Sequence, residues 1–186
     1  MKGKVKYMQM EEIIVAGSGG QGVLLLGEAL ARGVIEAGNN ATWLPSYGPE
    51  MRGGTANCSV VLSSEPIGSP LIDEPTILVC FNQPSLTKFA PTVAKGGLIV
   101  LNEDAINTWP EVAPDIEWVK LKAGSIAGEL GNERTINMVM LGALLSKRDF
   151  VSMDNIIAAL TEIWGEERAG KLMPLNLRAI EAGKSA

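Results

Sequence analysis

The feature that most constrains the fold is a glycine cluster between an apolar run and an amphipathic segment. The apolar residues 13–16 stop at the sequence GSGGQG, residues 17–22. Apolar side chains then recur at helical spacing from Val23 to Ile35, and Gly38 follows as a stop signal. The pattern predicts a buried strand, a tight glycine turn and a helix, which together form the opening unit of an α/β fold.

Further apolar runs, each bounded by Gly, Pro, Ser or Asn, extend this unit to a sheet. They predict strands at 41–44, 56–62, 77–81, 98–101 and, at a sheet edge, 116–121. Runs that are apolar at every position suit strands buried on both faces, and helix-length gaps between several of them favour parallel crossovers. Two prolines in residues 45–49 predict a loop there, and Pro110 and Pro114 predict a surface excursion at 107–115.

From about residue 123 the apolar spacing becomes helical. It predicts helices at 123–130, 135–145, 154–164, with Ser152 as the cap, and 166–182. The 186 residues suffice for one sizeable core and are too few for two. We therefore predict that residues 1–186 form a single doubly wound, Rossmann-like α/β domain with a mostly parallel sheet and a helical C-terminal part.

Composition narrows the class of protein. The chain has 16 Lys and Arg against 21 Asp and Glu, a net charge of −5, and its basic residues are scattered. That balance argues against a nucleic-acid surface, which must neutralise phosphates. Because no stretch approaches the roughly 20 apolar residues of a membrane span, and no targeting segment is visible, we predict a soluble, cytoplasmic protein.

The cysteine and histidine content limits the chemistry. Cys58 and Cys80 are the only cysteines, each lies in an apolar strand-like run, and there is no histidine. This usage indicates buried free thiols and excludes a self-contained zinc site or a four-cysteine iron–sulfur cluster. Without histidine, the Ser-His and Cys-His nucleophile pairs of hydrolases are also excluded.

The glycine turn fits three interpretations. Glycines at 17, 19 and 22 match the G-x-G-x-x-G fingerprint, in which free N–H groups at the start of a helix favour a phosphate. Simple NAD binding is disfavoured because no carboxylate follows the second strand before Glu50. A phosphate-binding P-loop is disfavoured because Val23 and Leu24 stand where Lys and Ser or Thr are required. A contact with another anion, or a purely structural tight turn, remains open.

A second glycine-rich segment, SYGPEMRGG at 46–54, follows the second predicted strand. At that position we expect it beside the first glycine turn, where open α/β sheets bind their ligands. Arg52 could hold a carboxylate or phosphate; the alternative is an ordered loop with a local Glu50–Arg52 pair. The candidate binding residues are Gly17, Gly19, Gly20, Gln21, Gly22, Ser46, Tyr47, Glu50, Arg52, Gly53 and Gly54, and no catalytic or metal-binding residue is predicted.

Two polar segments follow the next predicted strands at the same sheet edge. They are 82–85 (NQPS) and 102–104 (NED), and both could line a crevice there. Adjacent carboxylates such as Glu103 and Asp104 more often form a charge pair at a helix N-terminus or a solvated turn than an acid/base dyad.

The joint presence of GSGGQGV (17–23) and SYGPEMRGG (46–54) resembles the gamma subunit of the pyruvate, 2-oxoglutarate and ketoisovalerate ferredoxin oxidoreductases. The resemblance covers the whole chain. The wording SYGPEMRGGTANC is similar to the 2-oxoglutarate type, whereas pyruvate enzymes tend towards an FGAERRGAP form. A pyruvate or branched-chain 2-oxoacid version, or a stand-alone nucleotide-binding oxidoreductase, is the alternative.

The resemblance implies a complex that decarboxylates a 2-oxoacid oxidatively on thiamine diphosphate and Mg²⁺, passes electrons through iron–sulfur clusters to ferredoxin and releases an acyl-CoA. The sequence has no GDG-type thiamine motif and no cysteine cluster. These cofactors are therefore expected in companion alpha, beta and delta subunits. The gamma chain is expected to be inactive alone, structural within the complex, and in contact with CoA if with any ligand.

Overall fold

The computed structural model describes residues 9–47 and 54–186. They form a six-stranded mixed sheet with helices on both faces. Within these residues, no helix combines the length and the apolar character needed to cross a membrane.

The sheet has the strand order β2-β3-β1-β4-β5-β6. β1, β4, β5 and β6 pair in parallel, whereas β3 runs antiparallel to both β1 and β2. The strands are β1 (Glu11–Ser18), β2 (Asn40–Tyr47), β3 (Thr55–Ser63), β4 (Ile77–Cys80), β5 (Leu98–Asn102) and β6 (Glu117–Leu121). The mostly parallel α/β sheet predicted from the sequence is confirmed, including the edge position of the last strand.

In the described part of the chain, six α-helices follow the strands or form the C-terminal part. They are α1 (Val23–Glu36), α2 (Gln83–Phe89), α3 (Ala123–Glu129), α4 (Ile136–Lys147), α5 (Met153–Trp164) and α6 (Glu166–Ser185). All four predicted C-terminal helices are present. The Ser152 cap is also confirmed, because its side chain accepts a hydrogen bond from the backbone N–H of Asn155.

The core consists of two layers, one on each face of the sheet. One layer holds α1 and α3–α6 against alternate residues of the strands, such as Ile13, Val15 and Val100. The other holds α2 and the following turn against the intervening residues, such as Ala16 and Leu101. β4 and β5 are buried at every position, as expected for strands covered on both faces.

The predicted loop at 45–49 is wrong over 45–47, because Pro45, Ser46 and Tyr47 belong to β2 and pair with β3, while residues 48 and 49 lie outside the described residues. β2 lies at the edge of the sheet, where proline is tolerated because its missing N–H need not complete a ladder. β2 and β3 are therefore the two arms of an antiparallel hairpin. The carboxyl end of β2 and the start of β3 lie at the same end of the sheet as the end of β1, because Tyr47 pairs with Ala56 and Ser18 pairs with Thr55.

Candidate functional site

The turn after β1 is built from its own polar atoms. The backbone N–H of Ser18 donates to Oε1 of Gln21 at 2.7 Å, and the N–H of Gln21 donates to the carbonyl oxygen of Ser18 at 3.2 Å. Gly20 and Gly22 have φ values of +97° and +74°, which L side chains rarely adopt. Residues 18–22, here called the glycine turn, thus reverse the chain directly into α1.

Two of the glycines are also required by packing. A Cβ atom on Gly17 would lie 2.8 Å from Cβ of Phe81, and one on Gly22 would lie 2.5 Å from Nδ2 of Asn137. Asn137 is buried on α4, and its Nδ2 donates to the carbonyl oxygen of Gly22 at 3.3 Å. No local sequence pattern indicates this support, because residue 137 is 115 positions away from Gly22 along the chain.

The start of α1 has unpaired backbone donors. Gly22 is the N-cap residue, no side chain caps the helix, and the first turn contains no acidic residue. The first N–H groups of an α-helix have no partner within the helix, and here the described residues supply none for Val23 and Leu24. Together with the helix dipole, these donors favour an anion at the glycine turn.

The two glycine segments meet, as expected from their shared sheet edge. The N–H of Gly19 donates to the carbonyl oxygen of Gly54 at 2.9 Å. Gly19 is thereby occupied and is not a free donor for a ligand. Of the other candidates in the second segment, Glu50, Arg52 and Gly53 lie outside the described residues. Ser46 and Tyr47 lie on the edge strand and not, as predicted, in a loop.

A mainly apolar cleft of about 510 Å³ opens beside the start of α1. Its lining combines main chain from the glycine turn with aliphatic side chains. The lining residues are Ser18, Gly19, Gly20, Gly22, Val23, Leu24 and Ala56. A ligand with an anionic group and an apolar portion would therefore find both kinds of contact here.

A second, more polar cleft of about 690 Å³ lies on the other side of Gly20 and Gln21. Its far wall carries Asp104, Ser125 and Arg134. No ion pair of Arg134 is found in the part of the chain that the structure describes. Arg134 is not among the binding residues predicted from the sequence, because it lies in a turn before α4 without a recognisable motif.

The polar segments after β4 and β5 stabilise the site and do not form a dyad. Asn82 caps α2 and donates from Nδ2 to Oγ of Ser18 at 2.8 Å. Asp104 accepts hydrogen bonds from the N–H and the hydroxyl of Ser125, at 2.7 and 3.0 Å, at the start of α3. The interpretation of Asp104 as a helix N-terminal carboxylate is therefore confirmed. Gln83 points elsewhere and binds the backbone at 107–108.

Neither thiol is available for chemistry at neutral pH. Cys58 and Cys80 are buried and unbridged, as predicted. Burial raises the pKa of each thiol to about 12, far above the range in which a thiolate would act as a nucleophile. Among residues 9–47 and 54–186, no three acidic or cysteine side chains come close enough together to hold a metal ion.

The sequence matches the pyruvate ferredoxin/flavodoxin oxidoreductase (POR) family over residues 12–186. It is 40% identical over 171 residues to the ketoisovalerate oxidoreductase subunit VorA of Methanothermobacter thermautotrophicus, covering 91% of this chain and 35% of that protein. It is 36% identical over 163 residues to the 2-oxoglutarate synthase subunit KorC of Methanocaldococcus jannaschii, covering 86% of each. The chain thus spans about a third of the VorA relatives and most of the KorC relative.

The fold is also similar to that of a solved structure from the same class of enzymes. The gamma subunit of a keto/oxoacid ferredoxin oxidoreductase from Geobacter sulfurreducens PCA superposes with a TM-score of 0.78 at 25% identity. The superposition covers 94% of this chain and 96% of that one. The paired glycine segments, the mixed sheet and the match over residues 12–186 lead to one conclusion: the chain belongs to the pyruvate ferredoxin/flavodoxin oxidoreductase family, in which it is similar to the gamma subunits.

Proposed function

We propose that this chain is the gamma subunit of a 2-oxoglutarate:ferredoxin oxidoreductase. The complex converts a 2-oxoacid, CoA and an oxidised electron acceptor into CO₂, an acyl-CoA and the reduced acceptor. Residues 1–186 act in it as one gamma-type domain, together with companion alpha, beta and delta subunits in the cytoplasm. Thiamine diphosphate, Mg²⁺ and the iron–sulfur clusters are held by those companions, since the present sequence offers no cysteine cluster or thiamine motif.

The assignment to 2-oxoglutarate is supported by the SYGPEMRGG segment and by the similarity to KorC over most of that protein. The ketoisovalerate reaction is the second candidate, because VorA is 40% identical over the matched region. The complex purified from the native organism, assayed for CoA-dependent dye reduction with 2-oxoglutarate, ketoisovalerate and pyruvate, decides between them. A higher kcat/KM for ketoisovalerate would overturn the 2-oxoglutarate assignment.

The observation that supports a CoA contact is the uncapped start of α1 beside the apolar cleft. The residues present fit CoA: the N–H groups of Gly22, Val23 and Leu24 suit a phosphate, and the side chains of Leu24 and Ala56 suit an apolar arm. When bound, CoA supplies the thiol that accepts the acyl group. The role of this chain is to hold and orient the cofactor, while bond breaking takes place on the companions.

A charge placed at Gly20 tests this contact. A Cβ atom at Gly20 would meet nothing within 4 Å, and both Asp and Asn tolerate positive φ better than other side chains. Gly20→Asp should raise the KM for CoA by about tenfold or more, because a carboxylate at the start of α1 repels the phosphates. The isosteric but neutral Gly20→Asn serves as the control and should change KM much less. Equal KM values in the two variants and the wild type would exclude a phosphate site at this turn.

A further inference from the structure

The two strands of the hairpin, β2 and β3, contain no charged residue, whereas the connection between them contains Glu50 and Arg52. Neither Asn40–Tyr47 nor Thr55–Ser63 contains Lys, Arg, Asp or Glu, although 20% of the chain is charged. β2 is nevertheless an edge strand, with no further strand beside it in the described part of the chain. Proteins usually protect such edges with charged side chains, because unpaired backbone N–H and C=O groups can pair with another chain. Pro45 is the one residue of β2 that has no backbone N–H group to donate.

The side chains on the outer face of the two strands are uncharged as well, and Lys88 of α2 lies at the margin of this face, where it lines a small pocket with Asn57. Side chains alternate along a strand, and Cys58 and Val60 point into the core beneath α1. The opposite face therefore carries the cross-strand pairs Leu44–Ser59 and Ser46–Asn57, which we call the hairpin face. Leu44 is 40% exposed on it. Depletion of charge around an exposed aliphatic side chain is typical of the centre of a protein interface.

The start of β2 also has the least complete hydrogen bonding of the described chain. Two buried side-chain atoms there have no hydrogen-bond partner in the described residues: Oδ1 of Asn39 and Oγ1 of Thr42. Folded proteins satisfy nearly all such groups. The two residues lie within four positions at the start of the edge strand, which sets this element apart from the rest of the described sheet.

The hairpin is continuous with the candidate site. Gly54, just before β3, accepts the hydrogen bond from Gly19, and Ala56 of β3 lines the apolar cleft. Under the proposed function, a ligand in that cleft must meet cofactors held by other chains, so a companion chain must approach the rim of the cleft. The neighbouring polar cleft is lined by Asp104, Glu133 and Arg134, whereas the strands β2 and β3 are uncharged.

We propose that the β2 edge and the hairpin face together form the docking surface for a companion subunit of the complex. An extended segment of the companion pairs with the backbone of β2 on the N-terminal side of Pro45. A largely uncharged surface of the same companion covers Leu44. This inference rests on the proposed function, because it takes the occupant to be a subunit of the oxidoreductase and not a second copy of this chain.

A lysine at Leu44 tests the surface. Docking of the Leu44→Lys variant would bury an unpaired charge. The affinity of the variant chain for the companion subunits should therefore fall at least about tenfold. Leu71→Lys is the matched control: Leu71 is 70% exposed, lies in the connection between β3 and β4, and should leave assembly unchanged. Equal melting temperatures of both isolated variants and the wild type would show that the hairpin still folds.

Hydrogen exchange provides a second readout. Amides of residues 40–44 should exchange more slowly in the purified complex than in the isolated chain. Unchanged exchange there, normal assembly of Leu44→Lys, or a homodimer of the isolated chain that the same substitution dissociates would each overturn the proposed occupant. Co-purification with proteins that lack 2-oxoacid oxidoreductase activity would instead reject the proposed function, so the two failures are distinguishable.

Discussion

Gly22 is the residue whose backbone and surroundings most restrict the choice of side chain in the glycine turn. Its φ of +74° disfavours any L side chain, and a Cβ atom would lie 2.5 Å from Nδ2 of Asn137. Gly20 has a similar φ, +97°, but faces open space. A substitution at Gly20 therefore introduces backbone strain alone, whereas a substitution at Gly22 introduces both backbone strain and steric overlap.

Gly22→Ala should lower the free energy of unfolding by about 2–4 kcal/mol, because strain of the left-handed backbone adds to overpacking against Asn137. Gly20→Ala should lower the free energy of unfolding by only about 1–2 kcal/mol, because it introduces backbone strain without steric overlap. Urea unfolding of both variants and the wild type checks this. Similar losses in the two variants would mean that the Asn137 contact gives way without cost.

Arg134 and Asn137 are residues of the site that the sequence does not predict. The glycines could be predicted from the sequence because their spacing is local and has a known conformational meaning. Arg134 and Asn137 lie in the last third of the chain and reach the site only because α4 packs beside α1 in the same layer of the core. No local pattern around either residue indicates this position.

Close contact between α4 and α6 is the clearest packing constraint at the scale of elements. A Cβ atom on Gly142 would lie 1.9 Å from the carbonyl oxygen of Ile180, and one on Gly183 would lie 1.9 Å from that of Val139. The helices touch backbone to backbone at both positions. This contact holds the C-terminal helix onto the layer that contains α1.

Gly142→Ala and Gly183→Ala should each destabilise the protein by at least about 2 kcal/mol, since the helices must move apart to admit a methyl group. Gly170, in the same helix α6, has no atom within 4 Å of its Cβ position. Gly170→Ala should therefore stabilise by about 0.5–1 kcal/mol through helix propensity alone. Thermal and urea denaturation measure all three variants, and destabilisation by Gly170→Ala would contradict this explanation.

The sequence predicts both strands of the hairpin but not the position at which β2 ends. The apolar runs predict both strands, but the sequence pattern ends β2 at Leu44 because proline is a strand-breaking residue, whereas β2 extends to Tyr47. Only the position of β2 at the edge of the sheet makes the proline acceptable within a strand. Edge position is a property of strand order, and the residues within β2 do not encode it.

At the scale of the whole molecule, the strands buried at every position lie in the middle of the described sheet. β4 and β5 are buried at every residue and are covered by helices on both faces. β2 and β6 are edges, and β2 carries exposed side chains such as Leu44 and Ser46.

Hydrogen exchange of the isolated chain should follow this order. Amides of β4 and β5 should exchange only through global unfolding, and those of β2 and of residues 106–115 much faster through local opening. Exchange of β4 at the rate of β2 would show that the sheet opens from its centre. Mass spectrometry of peptic fragments resolves these regions.

The sequence by itself determined the elements and their class: the glycine turn, the apolar strands, the C-terminal helices with the Ser152 cap, the buried thiols and the family resemblance all follow from local spacing and composition. The tertiary structure decided which of these elements are neighbours. It made β3 antiparallel, joined Gly19 to Gly54, brought Asn137 and Arg134 to the glycine turn, and left the uncharged β2 at the edge. The reason is physical: local propensity acts over a few residues, whereas strand order and helix packing are chosen by burial of the whole core.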